Sequence, residues 1–184
     1  MDSSRTDALT MARASARAGK TSPLEREVVA LFDLYRERLL RYLLGFGLPV
    51  QDGEEIVQEV FLALFQHLRK GKSRENLRGW VFRVAHNLGL KRRATRGRTE
   101  TAEAMAEAMI DPAPNPEVQF AEGQEQRRLE AVMQALPEQD QRCLALRAEG
   151  LRYREIAEIL GMSLGAVSIS LSRSLARMTR AIER

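Results

Sequence analysis

Hydrophobic positions recur along this chain at steps of three and four, and no stretch sustains steps of two. Leu24, Val28, Leu31, Phe32, Tyr35, Leu39 and Tyr42 form the first such stripe, the mark of an amphipathic helix. Gly45, Gly47 and Pro49 end it. A second stripe holds Ile56, Val57, Val60, Phe61, Leu64, Phe65 and Leu68, and Asp52 with Glu55 three residues on predicts a capping-box start. The polar stretch His67–Asn76 reads as a loop. A third helix follows with Leu77, Val81, Val84, Ala85 and Leu88 at core spacing, running into a basic end at Lys91–Arg98. Periodicity returns after Gln124 with Leu129, Val132, Met133 and Leu136, and Pro137 breaks it. A helix from Glu138 to Glu149 closes at Gly150. Two more, Tyr153–Leu160 and Leu164–Ile182, are separated only by Gly161, Met162 and Ser163. The expected fold class is all-α.

Charge divides this helical chain in two. Nine Lys or Arg and one acid lie in 72–98, seven acids and no Lys or Arg in 99–126, and ten Arg with seven acids in 127–184. The sequence DPAPNPE at Asp111–Glu117 holds three alternating prolines, which fit neither a helix interior nor a central strand. Two modules joined by an acidic, extended connector are therefore expected, with Glu100–Met109 read as either a short helix or disordered. Residues 1–22 are small, polar and aperiodic, a loose tail. Length agrees, since 184 residues suffice for two small domains.

The same inventory excludes several chemistries. One Cys rules out a disulfide framework, and two His with it cannot assemble a Cys/His zinc site, so no metal or cofactor is expected. No apolar run reaches the roughly 18 residues of a membrane span, and no signal-peptide pattern opens the chain, so a cytoplasmic protein without membrane insertion is expected. His67 and His86 have no carboxylate or nucleophile at motif spacing, and no Gly-rich phosphate loop, HExxH or paired-acid motif occurs; no catalytic residue is assigned. Cys143 falls on an apolar helix face and reads as core.

The strongest local pattern is YREIAEILGMSLGAVSISL at Tyr153–Leu171. Two helices that cross steeply need a small residue at their approach and a turn residue tolerant of positive φ, and Ala157 and Gly161 supply these. Ile156, Leu160, Met162 and Val167 would share the core, with Ser163 capping the second helix. In a helix-turn-helix the start of that helix reaches base edges, here Leu164, Gly165, Ser168, Ile169 and Ser172, with Arg173 and Arg177 further along. Arg152 and Arg154 are placed for phosphates.

DGEEIVQEVFLALF at Asp52–Phe65 and NLRGWVFRVAHNLGLKRRATR at Asn76–Arg96 resemble the core-binding and promoter-melting segments of extracytoplasmic-function sigma factors of bacterial RNA polymerase. ALPEQDQRCLALRAEGLRYREIAEILGMSLGAVSISLSRSLARM at Ala135–Met178 resembles that family's C-terminal promoter-binding domain. The resemblance implies a non-catalytic specificity subunit with two helical domains: a three-helix core-binding and promoter-melting domain at 23–98 and a four-helix helix-turn-helix domain at 124–184. The acidic linker 99–123 would join them, and in the family it threads through the polymerase near the RNA path. Implied partners are core polymerase (β′ clamp helices and β flap), promoter DNA and an anti-sigma factor such as holds many members.

On the second helix, Glu55, Gln58, Glu59, Leu62 and Gln66 fall where the family docks on the clamp helices, with Leu62 expected to be exposed. The −10 contacts carried over are Arg69, Lys72, Arg74 and Asn76 in the loop, then Trp80, Arg83, Asn87, Lys91 and Arg92 on the third helix. Aromatic stacking, base-edge hydrogen bonding and phosphate neutralisation are what single-stranded DNA requires. Trp80 is equally well read as core.

The chain departs from the family at two places. Gly89 and Leu90 stand where an acid usually precedes the arginine pair. Ala166, Ser168 and Ser170 stand where Thr, a basic residue and Arg are usual, a loss of about two phosphate-neutralising charges. Two other readings are a self-sufficient helix-turn-helix regulator with a ligand-sensing N-terminal module, which would dimerise on a palindrome, and an enzyme, which the missing motifs disfavour.

Overall fold

The computed structural model describes residues 22–104, 129 and 131–182, and the side chains of these up to 97 and up to 181. Six helices are bounded among them: α1 (Pro23–Leu44), α2 (Val50–Arg69), α3 (Leu77–Ala104), α4 (Glu138–Ala148), α5 (Tyr153–Leu160) and α6 (Leu164–Ile182). No strand occurs among the described residues, and no single helix is long and apolar enough to cross a membrane. The chain divides into two compact units with the break between Ala94 and Thr95, inside α3. Residues 1–21 and the proline-containing connector lie outside the described residues. The part of the connector before 105 is helical backbone continuing α3.

α1 opens on a capping box at Ser22–Glu25: the Glu25 N–H donates to Ser22 Oγ at 3.2 Å, and the Ser22 N–H to Glu25 Oε2 at 2.8 Å. Pro23 takes the first helical position, where its missing N–H is not needed. The box expected at Asp52 is absent. α2 begins two residues earlier, and its N-cap position is Pro49, whose side chain has no capping oxygen; the Asp52 carboxylate, inside the helix, pairs elsewhere (below).

The core of the first unit is made where α1, α2 and α3 meet. Leu39, Leu43, Ile56, Val60, Phe61, Leu64, Val81, Phe82 and Ala85 are all buried, and the connecting loop turns Phe46 and Leu48 inward as well. Aromatic rings meet edge to face through it: Phe32 on Phe61 at 5.1 Å, and Tyr42 on Phe82 at 5.7 Å and on Phe46 at 5.4 Å. His86 belongs to this core, 2.8 Å through Nδ1 from the buried Tyr42 hydroxyl. Gly89 packs against Leu43 and Phe46, where even a Cβ would lie 3.1 Å from Leu43 Cδ2. A larger side chain at 89 would crowd Leu43, whereas the neighbouring Leu90 is exposed.

In the second unit, Gln141 Nε2 donates to the carbonyls of Gln134 and Leu136, satisfying the end of the helical backbone at 131–134. α5 and α6 meet at 105°. Gly161 makes the turn at φ 64°, and the Met162 N–H returns to the Ala157 carbonyl at 2.9 Å. Ser163 Oγ accepts from the Ala166 N–H at 3.1 Å, the expected cap. Leu146, Leu151, Ile156, Val167 and Leu171 fill the core, while Leu160 and Met162 are half-buried at its margin.

Cys143 is buried in this core with Sγ 3.6 Å from Met162 Sδ. Burial pushes its thiol pKa up, a hydrogen bond with Ser170 lowers it by less, and the Asp140 charge adds a smaller rise. A raised pKa means that the stability it carries is full below the thiol's unfolded value, about 8.5, and declines as pH rises through the folded value. Cys143 is therefore expected to resist a thiol reagent at pH 8 in the folded chain and to react once α4–α6 open. Rapid labelling without unfolding would show that the site is not closed.

Candidate core-docking and nucleic-acid surfaces

α2 presents a face away from its core stripe. Glu55, Gln58 and Gln66 are exposed on it, while Glu59 and Leu62 are half-buried. The expectation of a fully exposed Leu62 is corrected accordingly. One edge of this face is tied to α3. Arg92 Nη1 lies 2.9 Å from both Asp52 Oδ1 and Glu55 Oε2, and Nη2 lies 3.7 Å from Glu59 Oε1. The hydrogen bond that Arg92 donates to Glu55 raises the Arg92 pKa most, opposed by burial and helped by Asp52. Arg92, expected on DNA, bridges α3 to Asp52, Glu55 and Glu59, the last two on the candidate docking face. That ion pair spans 37 residues, and nothing in the local sequence marks it.

The start of α3 is fixed by the loop before it. Asn76 adopts φ 51°, a conformation that Asn tolerates better than most residues, and its Oδ1 accepts from the Gly79 N–H at 3.1 Å. Asn76 is thus the helix cap through Oδ1, on an exposed side chain. His67 is the last-turn residue of α2, not a loop residue. Its Nε2–H donates to the Ser73 carbonyl at 2.9 Å, and its ring lies 4.8 Å from that of Trp80. Trp80 is half-buried beside the His67 ring, so it is not a core position. A side chain bonding to a carbonyl leaves no trace in the sequence, so the His67 tether was not foreseeable.

Beyond Trp80, Arg83, Asn87 and Lys91 are exposed at successive helical steps of α3, forming one stripe as expected. The loop cations do not all join it. Lys72 is exposed, Arg69 lies over the Phe65 ring at 5.9 Å, and Arg74 pairs with Glu27 of α1 at 3.3 Å. The surface pairs of this kind add little stability, but they set where the cations stand.

On α6, Leu164, Gly165, Ser168, Ile169 and Ser172 are all exposed, as a helix that enters a groove requires. Arg152, Arg154 and Arg177 are exposed as well. Two other residues are not where the sequence suggested. Ser170 is buried and donates to Asp140 Oδ1 at 2.7 Å, and Arg173 pairs with Asp140 Oδ2 at 2.6 Å. Asp140 is itself buried, so its charge is met by one hydroxyl and one guanidinium. Arg173 is held there through Nε and Nη2, with its side chain half exposed. Ser170 faces inward, so only Ser168 of the three departing positions leaves an outward site without charge.

Known proteins carry the same two units in the same order. The family description "Sigma-70 region 2" matches residues 31–99, and "Sigma-70, region 4" matches 126–178. The chain is 35% identical over 132 residues to the probable RNA polymerase sigma factor RfaY of Xanthomonas campestris pv. campestris, covering 69% of this chain and 33% of that one. It is 30% identical over 142 residues to the ECF RNA polymerase sigma factor SigE of Mycolicibacterium smegmatis, covering 76% and 55%. The chain thus spans a third of the first relative and about half of the second. In fold it is similar to the sigma factor RpoE of Bartonella quintana, solved with the anti-sigma factor NepR, at TM-score 0.64 and 17% identity over 86% of this chain and 98% of that one. With a region 2 that carries the α2 face and the α3 stripe, and a region 4 that carries the helix-turn-helix, the chain belongs to the extracytoplasmic-function sigma factors of RNA polymerase.

Proposed function

We propose that this chain docks on core RNA polymerase through the α2 face and directs it to a subset of promoters. The α3 stripe then holds the melting −10 strand while α6 reads the upstream element. The exposed sequence of Arg83, Asn87 and Lys91 headed by Trp80 carries this reading, because a helix-turn-helix alone fits any DNA-binding regulator. It supplies a stacking ring, an amide and cations along one line, the set that single-stranded DNA needs. Arg92 and Asn76 drop out of the contact set and support it from behind. Residues 99–123 serve as the tether between the domains at 23–98 and 124–184, and the β flap is a second polymerase contact. The protein acts in the cytoplasm, where DNA and polymerase are. Chemistry belongs to the polymerase, with no cofactor on this chain. An anti-sigma factor is a further proposed partner, as NepR is for the structural relative.

The test is to combine the purified chain with core enzyme and measure binding and promoter-dependent transcription. A single copy bound to core, and specific initiation only in its presence, is the expected result. Tight operator binding by a dimer without polymerase would overturn it in favour of a self-sufficient regulator. Leu62→Arg is expected to weaken core affinity at least about tenfold, the loss of one good interface anchor. Its unfolding midpoint measured alongside separates docking from folding, and unchanged core affinity would remove Leu62 from the docking face.

A further inference from the structure

α6 turns outward a face that carries no charge. Leu164, Gly165, Ser168, Ile169, Ser172 and Leu175 are exposed on it, Ile169 to 66% and Leu164 to 52%. Aliphatic side chains left so open contribute nothing to the isolated domain. Among the described residues, exposed cations flank this stretch in sequence. Arg152 and Arg154 lie at the start of α5 and Arg177 lies late on α6, all exposed. The one cation that follows the face directly, Arg173, is held by Asp140 at 2.6 Å. An uncharged centre with a basic margin is complementary to a major groove, whose base edges lie between two lines of phosphate.

What the centre can read follows from chemistry. In the major groove guanine is read by Arg or Lys, adenine by Asn or Gln, cytosine by an acid, and thymine by apolar contact with its 5-methyl group. From Leu164 to Ser172 there is no Arg, Lys, Asn, Gln, Asp or Glu. There are two exposed aliphatic side chains one and a half turns apart and two exposed hydroxyls between and after them. Resting on the reading of α6 as the upstream promoter helix, we propose that Leu164 and Ile169 are specificity-determining residues that recognise thymine 5-methyl groups. Ser168 and Ser172 hydrogen-bond to whichever base edges adjoin, and Arg152, Arg154 and Arg177 grip the flanking phosphates. The upstream element is therefore chosen by methyl groups rather than by arginine–guanine pairs.

Deoxyuridine tests this directly, since it differs from thymidine only by the missing methyl. Promoters are taken from genomic fragments that the reconstituted holoenzyme transcribes. One is then remade with each upstream thymine of either strand replaced in turn by deoxyuridine. Holoenzyme is expected to bind at least one such probe about fourfold more weakly, the worth of one buried methyl group. Leu164→Ala or Ile169→Ala is expected to weaken binding to the thymine probe by a similar factor and to abolish the thymine–uridine difference at that position. Both side chains are more than half exposed, so neither change strains the fold.

Equal binding of all thymine and uridine probes by an active holoenzyme would overturn the proposal alone. So would a difference that persists in both alanine variants, or full promoter affinity in those variants, which would give the face to a protein partner. A chain that never binds core overturns this proposal together with the functional reading beneath it.

Discussion

Phe61→Ala is expected to remove about half of the stability of the N-terminal helices. Phe61 is fully buried on α2 and meets Phe32 of α1 edge to face at 5.1 Å. Truncating a buried Phe to Ala costs about 3–5 kcal/mol, because the lost transfer energy is joined by that of the cavity left behind. A domain of this size has only about 5–10 kcal/mol in total. Urea unfolding should give the loss, and hydrogen exchange should place it in α1–α3, with protection in α4–α6 retained. A loss under about 1 kcal/mol would mean that the ring is not the keystone of the three-helix contact.

Arg92→Glu is the largest expected effect on the surface. It replaces a guanidinium bonded to two carboxylates at 2.9 Å and paired with a third at 3.7 Å by a fourth acid. All four groups are partly open to water, so the full buried-charge penalty does not apply. About 2–3 kcal/mol is the expected loss for Glu, and about 1 kcal/mol for Ala, with the difference shrinking in ~1 M salt as repulsion is screened. Core affinity should fall too, because Glu55 and Glu59 lose the cation that orients them. The contrary result would be a variant of unchanged stability and core affinity that fails only in strand opening. It would return Arg92 to the DNA.

These two residues show what can be read from a sequence and what cannot. The stripe that contains Phe61 is a local pattern, with the partner positions three and four residues away, and the helices followed from it. The helix-turn-helix was equally legible, since the Ala157 and Gly161 requirements and the Ser163 cap are all local. The Ser22–Glu25 box is a local pattern too, in the spacing of Ser and Glu around Pro23. Arg92 is different. Its partners lie 37 and 40 residues away, and a basic run is the same string of letters whether it faces DNA or carboxylates. Arg173 on Asp140, 33 residues apart, and His67 on a backbone carbonyl are of the same kind. Positions on a helix face could be assigned from periodicity, but the partners of the charged ones needed the packing of one helix on another.

The Asp140–Ser170–Arg173 cluster reaches further than the stability of its own unit. An acid on α4, buried and 33 residues from Arg173 in the chain, holds one positive charge beside the face by which α6 is proposed to approach DNA. On that proposal, tolerance toward imperfect promoters would be tuned from a residue that never meets a nucleotide. Loosening that carboxylate's hold would make the helix stickier for any duplex, and the discrimination between genes to be switched on and genes to be left alone would blur.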